Sequence, residues 1–350
     1  MVIYVVGLEA HEQRYTGEWA THLPDQIRQA LPNEDIRVIE GVAKQQETTP
    51  GAFLNFAATN IFKSQQIAEI AALFERGDVK DSDCFLFTDA WHYGIVALRY
   101  ISDLLRIPVR TVALWHAGSH DPHDFLGRIP DVTWARDFER SLFEAIDLNM
   151  FATRFHIDLF KEAHGINDES RIQRCGWPME YLPSNLQPHL ELCKRKLVLF
   201  PHRIAPEKQV EIFRDLATEF PEYEFRVCQE AKLTKREYHE LLGQSVAVFS
   251  ASLQETLGIG LYEGLLCGAM PIAPNRLSYS EMYPRECLYP CAWTADWDSY
   301  QRCKLQLVAH MRSALTKART NQWQDHADVL ASNIRNKFFD GAVLYDALAA

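Results

Sequence analysis

A chain of 350 residues, 47% of them hydrophobic and 24% charged, is long enough for two globular domains and too apolar for a disordered or fibrous protein. Its formal net charge of −11 is unevenly spread: residues 1–170 hold 15 Lys+Arg against 26 Asp+Glu, whereas residues 171–350 hold 21 of each. Neither half has the basic excess with which a non-specific nucleic-acid binder neutralises phosphates, so only a local basic patch is left open. No apolar run reaches the length of a membrane span, and no basic, cleavable leader precedes the apolar start, which places the expected site of action in the cytoplasm.

In chain order, short apolar runs at 2–6, 36–39, 84–87, 109–114 and 148–151 read as strands, with helical patterns between several of them. This is the βαβ rhythm of a doubly wound parallel sheet, in which ligands sit beyond the carboxyl ends of the strands. After the first strand come Thr16 and Gly17, candidates to face a ligand, with a helix cap at Thr16 as the plain alternative. Asp89, Trp91 and His92 follow the strand at 84–87 and are candidates for substrate contact, although Trp91 reads equally well as packing. The strand at 109–114 delivers Trp115-His116-Ala117-Gly118-Ser119-His120-Asp121-Pro122-His123-Asp124. Its three His and two Asp after position 115 raise a metal site, but Gly118 and Pro122 break helical ligand spacing, and the expectation is no metal. The eight cysteines are scattered; Cys287 and Cys291 form the one close pair, and reduced, mostly buried thiols are expected.

The stretch 171–178, with Gly176-Trp177-Pro178, interrupts the rhythm and a polar, Pro-containing stretch follows to 190, so a linker is expected there. A second α/β series then predicts strands at 196–200, 224–228, 246–250 and 271–273, helices at 207–220, 235–242 and 260–266, and long helical patterns at 299–319 and 323–339. The expected division is a first domain at 1–180, a second at 181–325, and a C-terminal helix within 326–350 that packs back on the first.

The densest signal is Ser250-Ala251-Ser252-Leu253-Gln254-Glu255-Thr256-Leu257-Gly258-Ile259-Gly260-Leu261-Tyr262-Glu263-Gly264, a strand end, a loop and a helix start. Exposed N–H groups at that helix start suit a diphosphate, and Gly258 and Gly260 let backbone approach it. Upstream, Arg203 and Lys208 lie five residues apart after the strand at 196–200; alone they would read as solvated charges.

The block resembles the E-x7-E signature of retaining GT-B glycosyltransferases, and that resemblance implies a fold of two facing Rossmann-like domains with a cleft between them. It implies that Glu255 contacts the transferred sugar, that Glu263 binds the ribose, and that Arg203 and Lys208 hold the diphosphate, stabilising a leaving group without a metal. It places Thr256, Leu257 and Gly258 on the donor side and His116 near the anomeric carbon; the first loop departs from the family's Gly-Gly pattern, and Thr16 and Gly17 stand as donor-side candidates there. Asp89, Trp91, His92 and His120 are left to bind the acceptor. No cofactor is expected; the co-substrate is a nucleotide-diphosphate sugar, a UDP-sugar in the first instance.

Residues 196–290, with Pro201-His202-Arg203 and Pro274-Asn275-Arg276-Leu277-Ser278-Tyr279, are similar to the glycosyltransferases that mannosylate queuosine in tRNA. Leu277-Ser278 stands where most of the broader family has a Gly-Gly pair. The whole chain, including Arg14-Tyr15-Thr16-Gly17-Glu18-Trp19, resembles glycosyltransferases of tailed phages suspected of decorating modified DNA bases. The favoured acceptor is therefore a hydroxymethylated base in DNA, with the host cytoplasm as location if the chain is phage-encoded. Arg14, Lys63, Arg128 and Arg136 are candidates to meet DNA phosphates. A glycan, lipid or small-molecule acceptor, and a non-catalytic nucleotide-sugar binder, are the rival readings.

Overall fold

The computed structural model describes residues 1–11, 15–42 and 54–350. The chain divides into two compact units, Met1–Met179 with Asp340–Ala350, and Glu180–Phe339.

The first unit alternates β1 (Val2–Val6), α1 (Tyr15–Ala30), β2 (Asp35–Ile39), α2 (Phe56–Glu75), β3 (Cys84–Phe87), α3 (Gly94–Leu105), β4 (Arg110–Trp115), α4 (Thr133–Ala145), β5 (Leu148–Phe151), α5 (Arg154–His164) and β6 (Ile172–Arg174). Its sheet is parallel throughout, in the order β2-β1-β3-β4-β5-β6. β1 and β3 are neighbours, with Val6 opposite Phe87, and the chain runs outward from them in both directions. That is a topological switch point, so a crevice opens beyond Gly7 and Thr88. The central strands are buried on both faces, which is why they read as unbroken apolar runs. Trp115, stacked on Phe151 and packed on Phe160, fills the core beneath β4.

The second unit contains α6 (Leu182–Leu186), β7 (Leu197–Phe200), α7 (Val210–Ala217), β8 (Glu224–Val227), α8 (Lys235–Gln244), β9 (Ala247–Phe249), α9 (Ile259–Leu266), β10 (Met270–Pro274), α10 (Tyr279–Met282), β11 (Leu288–Tyr289), α11 (Trp297–Lys317) and α12 (Asn321–Phe338). Its sheet is also parallel, in the order β11-β10-β9-β7-β8. Here β7 and β9 flank the switch point, and the loops after Phe200 and Phe249 bound it.

Three boundaries differ from the pattern reading. The stretch 171–178, expected as linker, contributes β6, a three-residue edge strand paired with β5. Its exposed, polar face gives no alternation to read. The helix expected from 207 begins at Val210, because Gln209 adopts a left-handed conformation (φ 52°) after a 3₁₀ turn at Pro206–Lys208. The Gln209 amide donates to the carbonyls of Ala251 (2.7 Å) and Thr294 (2.8 Å), which holds that break in place. The segment 326–339 stays with the second unit, since α12 buries Trp323, Ala327, Ala331, Ile334 and Phe338 and the Trp323 indole donates to the Gly268 carbonyl at 3.0 Å. Only Asp340–Ala350 belongs with the first unit, where α13 (Ala342–Ala349) meets α1 and Arg110 donates to the Ala347 carbonyl. All eight cysteines are free thiols, five of them buried, and no described helix is long and apolar enough to cross a membrane.

Candidate functional site

At the switch point of the second unit, the loop after β7 and the loop after β9 bring Lys208 to Glu255. Lys208 is 5% exposed; its ammonium donates to the Gln254 carbonyl and lies 3.1 Å from Glu255 Oε2. A buried ammonium is costly unless paired, so this contact fixes both loops relative to each other. Burial pushes the Glu255 carboxyl up, but the Lys208 charge more than offsets it and holds the group below the usual carboxylate range. His202 Nδ1 lies 3.8 Å from Glu255, yet burial and the Lys208 charge push its pKa down to about 3. The imidazole is thus uncharged at neutral pH, and Lys208 is the cation that governs Glu255. Arg203 pairs with the buried Glu207.

Gly258 caps α9 with φ +79°, and an added Cβ would stand 2.7 Å from the Tyr279 ring, so glycine is required for conformation and room alike. The first turn of α9 follows it in sequence, with the Leu261 and Tyr262 N–H groups donating to the Gly258 carbonyl at 3.1 and 3.3 Å. One turn on, Glu263 is 4% exposed; its Oε2 accepts from Tyr238 hydroxyl at 2.7 Å, and Lys235 Nζ lies 3.5 Å from Oε1. Thr256 and Leu257 lie between Glu255 and Gly258 as expected, Leu257 buried. The Leu277-Ser278 departure has a structural counterpart: Leu277 takes φ +59°, a conformation that suits the glycine found there in the broader family. Ser278 Oγ and His202 Nε2 are buried without a hydrogen-bond partner. Arg276 fixes the loop after β9 by donating to the carbonyls of Ala251 (2.8 Å) and Ser252 (2.8 Å).

At the switch point of the first unit, His116 Nε2 lies 2.8 Å from the Thr88 carbonyl and so carries the proton, leaving Nδ1 to accept from Tyr15 hydroxyl at 3.0 Å. Burial lowers its pKa against the pull of Asp89. Trp19 and Trp177 pack around the ring at 5.8 and 4.6 Å. Thr16 is not a cap: it lies inside α1, 8% exposed, with Oγ1 unpartnered, and Gly17 follows it. Asp89 pairs with Lys63 at 3.1 Å; burial raises its carboxyl and the Lys63 charge overrides that, so it stays ionised.

His92 and His120 are brought inward, not to the surface. His92 is 3% exposed, bonded to Gln66 and the Gly94 N–H, with its pKa pushed by burial down to about 3. His120 contacts Glu139 and His156. Asp121 and Asp124 accept from the N–H groups of His123 and Leu126 and shape turns. Of the basic candidates, Lys63 is neutralised by Asp89, Arg128 and Arg136 are exposed, and Arg14 lies outside the described residues. Sequence reading missed Glu207, Tyr238, Tyr15 and Glu139; the Thr-x-x-Glu capping box at Thr234 and Glu237 was the available signal that Tyr238 would sit in the first turn of a helix. A recess of about 420 Å³ lined by Lys194, Lys196 and Arg319 opens near the amino end of β7, at the opposite end of that strand from Arg203 and Lys208.

Two doubly wound parallel units, each with polar residues at its switch point, define the GT-B architecture of glycosyltransferases. The chain superposes over 99% of its length on 98% of the catalytic domain of starch synthase IV from Arabidopsis thaliana, bound to ADP and acarbose (TM-score 0.60, 12% identity). It matches WaaG, a glycosyltransferase involved in lipopolysaccharide biosynthesis, over all of both chains (TM-score 0.57, 12% identity). In sequence, it is 32% identical over 152 residues to the tRNA-queuosine alpha-mannosyltransferase of Drosophila melanogaster. That match covers 43% of this chain and about a third, 32%, of the relative's own length. No family model matches the chain.

Proposed function

We propose that this chain is a metal-independent, retaining glycosyltransferase that moves a sugar from a nucleotide-diphosphate donor to a hydroxyl on a base in nucleic acid, in the first instance a hydroxymethylated base in DNA. The observation that carries the transferase reading is the Lys208–Glu255 pair at the switch point of the second unit, with Arg203 after the same strand and the start of α9 after Glu255. Lys208 and Arg203 exchange their carboxylate contacts for the diphosphate, whose negative charge grows as the bond from anomeric carbon to phosphate oxygen breaks. The acceptor oxygen bonds to that carbon from the same face, and its proton passes to a leaving phosphate oxygen. Glu255 meets the sugar and Glu263 the ribose; neither acts as a nucleophile. The likeness to a tRNA-modifying enzyme supports a nucleic-acid acceptor.

Neutralisation of Lys63 by Asp89, within the acidic first half, favours one rival: transfer to a glycan, lipid or small molecule. Salt separates the two. Binding through several phosphates makes activity fall steeply with ionic strength, whereas a neutral acceptor leaves it nearly flat. The deciding experiment incubates the protein with a panel of nucleotide sugars and hydroxymethylated or plain DNA, followed by mass spectrometry of the digested nucleosides. Donor hydrolysis without transfer to any DNA, alongside transfer to a soluble glycan, would remove the nucleic-acid acceptor and keep the transferase. No hydrolysis and no transfer would leave a nucleotide-sugar binder.

A further inference from the structure

Outside the proposed donor site, the first unit holds a carboxylate on which five donors converge. Glu139 on α4 is wholly buried. Its Oε1 accepts from the Trp91 indole at 2.7 Å and the Ser119 N–H at 2.6 Å; its Oε2 accepts from Ser119 Oγ at 2.8 Å, His164 Nε2 at 3.0 Å and His120 Nδ1 at 3.2 Å. His120 Nε2 lies 2.8 Å from His156 Nε2 and extends the network into α5. Gly118 admits the carboxylate, since a Cβ there would stand 2.3 Å from Oε1. Burial raises the Glu139 carboxyl, and the hydrogen bonds from His120 and His164 outweigh it, so the group is ionised.

His120, Glu139 and His164 also present metal-ligating atoms within 4.8 Å of one another. A carboxylate offers about four lone-pair sites, and five donors already converge on this one, so a cation would have to displace donors from Oε2. The set is that of an anion held by protons.

What the network fixes at the surface is Trp91. Its indole N–H ends on Glu139, its backbone N–H on Asp89 Oδ1 at 3.0 Å, and its carbonyl takes the Lys63 ammonium. The ring is partly exposed, edge-on to Trp134 at 6.2 Å and to Phe138 at 5.1 Å, and Trp134 itself is 54% exposed. With its indole N–H and both backbone groups bonded and its ring packed against the core, Trp91 loses little further freedom when a flat ligand stacks on the exposed part of the ring.

We propose that Glu139 is a positioning residue that holds the Trp91 ring as a stacking platform for the acceptor, and that the group stacked there is a nucleobase. This deepens the transferase reading above and rests on it. The test measures two affinities in the full chain: that for a single-stranded oligonucleotide carrying 5-hydroxymethylcytosine, by anisotropy at fixed salt, and that for UDP, by calorimetry. Trp91→Phe keeps an aromatic ring but loses the indole N–H and part of the stacking face. Its oligonucleotide Kd should rise about threefold to tenfold, and that of Trp91→Ala by ~10-fold or more. Glu139→Gln keeps an amide oxygen able to accept from the Trp91 indole, so it should weaken oligonucleotide binding less than Trp91→Phe does, and the double variant should bind no more weakly than Trp91→Phe alone. UDP affinity should be unchanged in all of them. Wild-type oligonucleotide affinity in Trp91→Phe and Trp91→Ala overturns the proposal, as does absence of oligonucleotide binding by the wild type. Additive effects in the double variant sever the link to Glu139. One equivalent of divalent metal in the purified protein, by elemental analysis, replaces the proton network with a metal centre. Should Glu139→Gln fail to fold, the two Trp91 variants decide. Failure of the wild type to bind any nucleoside diphosphate sinks the donor reading instead.

Discussion

Each unit holds an ionised carboxylate, and the two do so in different ways. In the second unit, Glu255 is held by one ammonium, next to a neutral His202 whose Nε2 has no partner. In the first, Glu139 is saturated by five donors, four of them from residues 118–120 and α5. A single charge contact can be exchanged for a ligand's charge; a saturated carboxylate can only hold what surrounds it. The same parallel-sheet topology thus carries exchangeable charge in one unit and a fixed frame in the other.

The largest effect expected from that difference is on stability. Glu139→Ala leaves two His, an indole and a serine without their acceptor in a fully buried site, and breaking a buried ionic network of this kind costs about 3–5 kcal/mol. Urea unfolding followed by Trp fluorescence measures it; a loss under 1 kcal/mol would mean that water or rearranged donors replace the carboxylate and that the frame is not fixed. At the switch point of the second unit the expected effect is on rate. Lys208→Ala and Arg203→Ala should each lower donor turnover on the order of a hundredfold, the usual consequence of removing one charge from a developing oxyanion. Wild-type turnover in both would end the diphosphate assignment. Added chelator should leave the rate unchanged, and a strict divalent-ion requirement would count against the metal-free mechanism.

Acid should weaken both units through histidines that are buried uncharged. The pKa of His92 in the first unit and His202 in the second is about 3, below the ordinary value, so the unfolded chain takes up protons that the folded chain refuses. Stability is therefore full above about pH 6.5 and falls as pH drops from there toward 3, by up to about 1.4 kcal/mol per pH unit for each such His. His92→Asn removes one titration while the amide oxygen keeps an acceptor for the Gly94 N–H. Its unfolding free energy, compared between pH 7 and pH 5, should depend less on pH than that of the wild type. Equal slopes would show that His92 is protonated in the fold.

Much of the second unit was legible in sequence because its signals are local. The strand at 246–250, Glu255, Gly258 and Glu263 fall within a single stretch, and Arg203 and Lys208 directly follow a strand end. The first unit was legible in its strands and opaque in its polar residues. Glu139 sits in an amphipathic helix where a carboxylate reads as solvated, and its donors come from 19 to 48 residues away. His92 and His120 follow strand ends, which suggested exposure; the direction of the turn after each strand, which no periodicity encodes, sends them inward. Lys63 read as a free cation because Asp89, its partner, lies 26 residues on.

The smallest effect concerns how firmly the second unit holds the ribose. Glu263 Oε2 accepts from Tyr238 hydroxyl at 2.7 Å, and burial followed by the Glu263 charge keeps the pKa of that phenol well above its ordinary value, so it remains a donor. The bond orients the carboxylate and leaves Oε1, at 3.5 Å from Lys235, as the oxygen that the proposed ribose contact would use. Tyr238→Phe deletes one hydrogen bond to a charged group and keeps the ring that α8 carries, a loss of about 1.5–3 kcal/mol at most and less if a water takes the site. The expected result is a several-fold weaker Kd for UDP, with a smaller penalty for 2′-deoxy-UDP, because an unoriented Glu263 no longer distinguishes the two. Calorimetry on four combinations, wild type and variant with each nucleotide, gives the coupling directly. If the variant discriminates between UDP and 2′-deoxy-UDP as sharply as the wild type, Glu263 does not read the 2′-hydroxyl through this contact, and the exchangeable charge of the second unit ends at Lys208, Arg203 and Glu255.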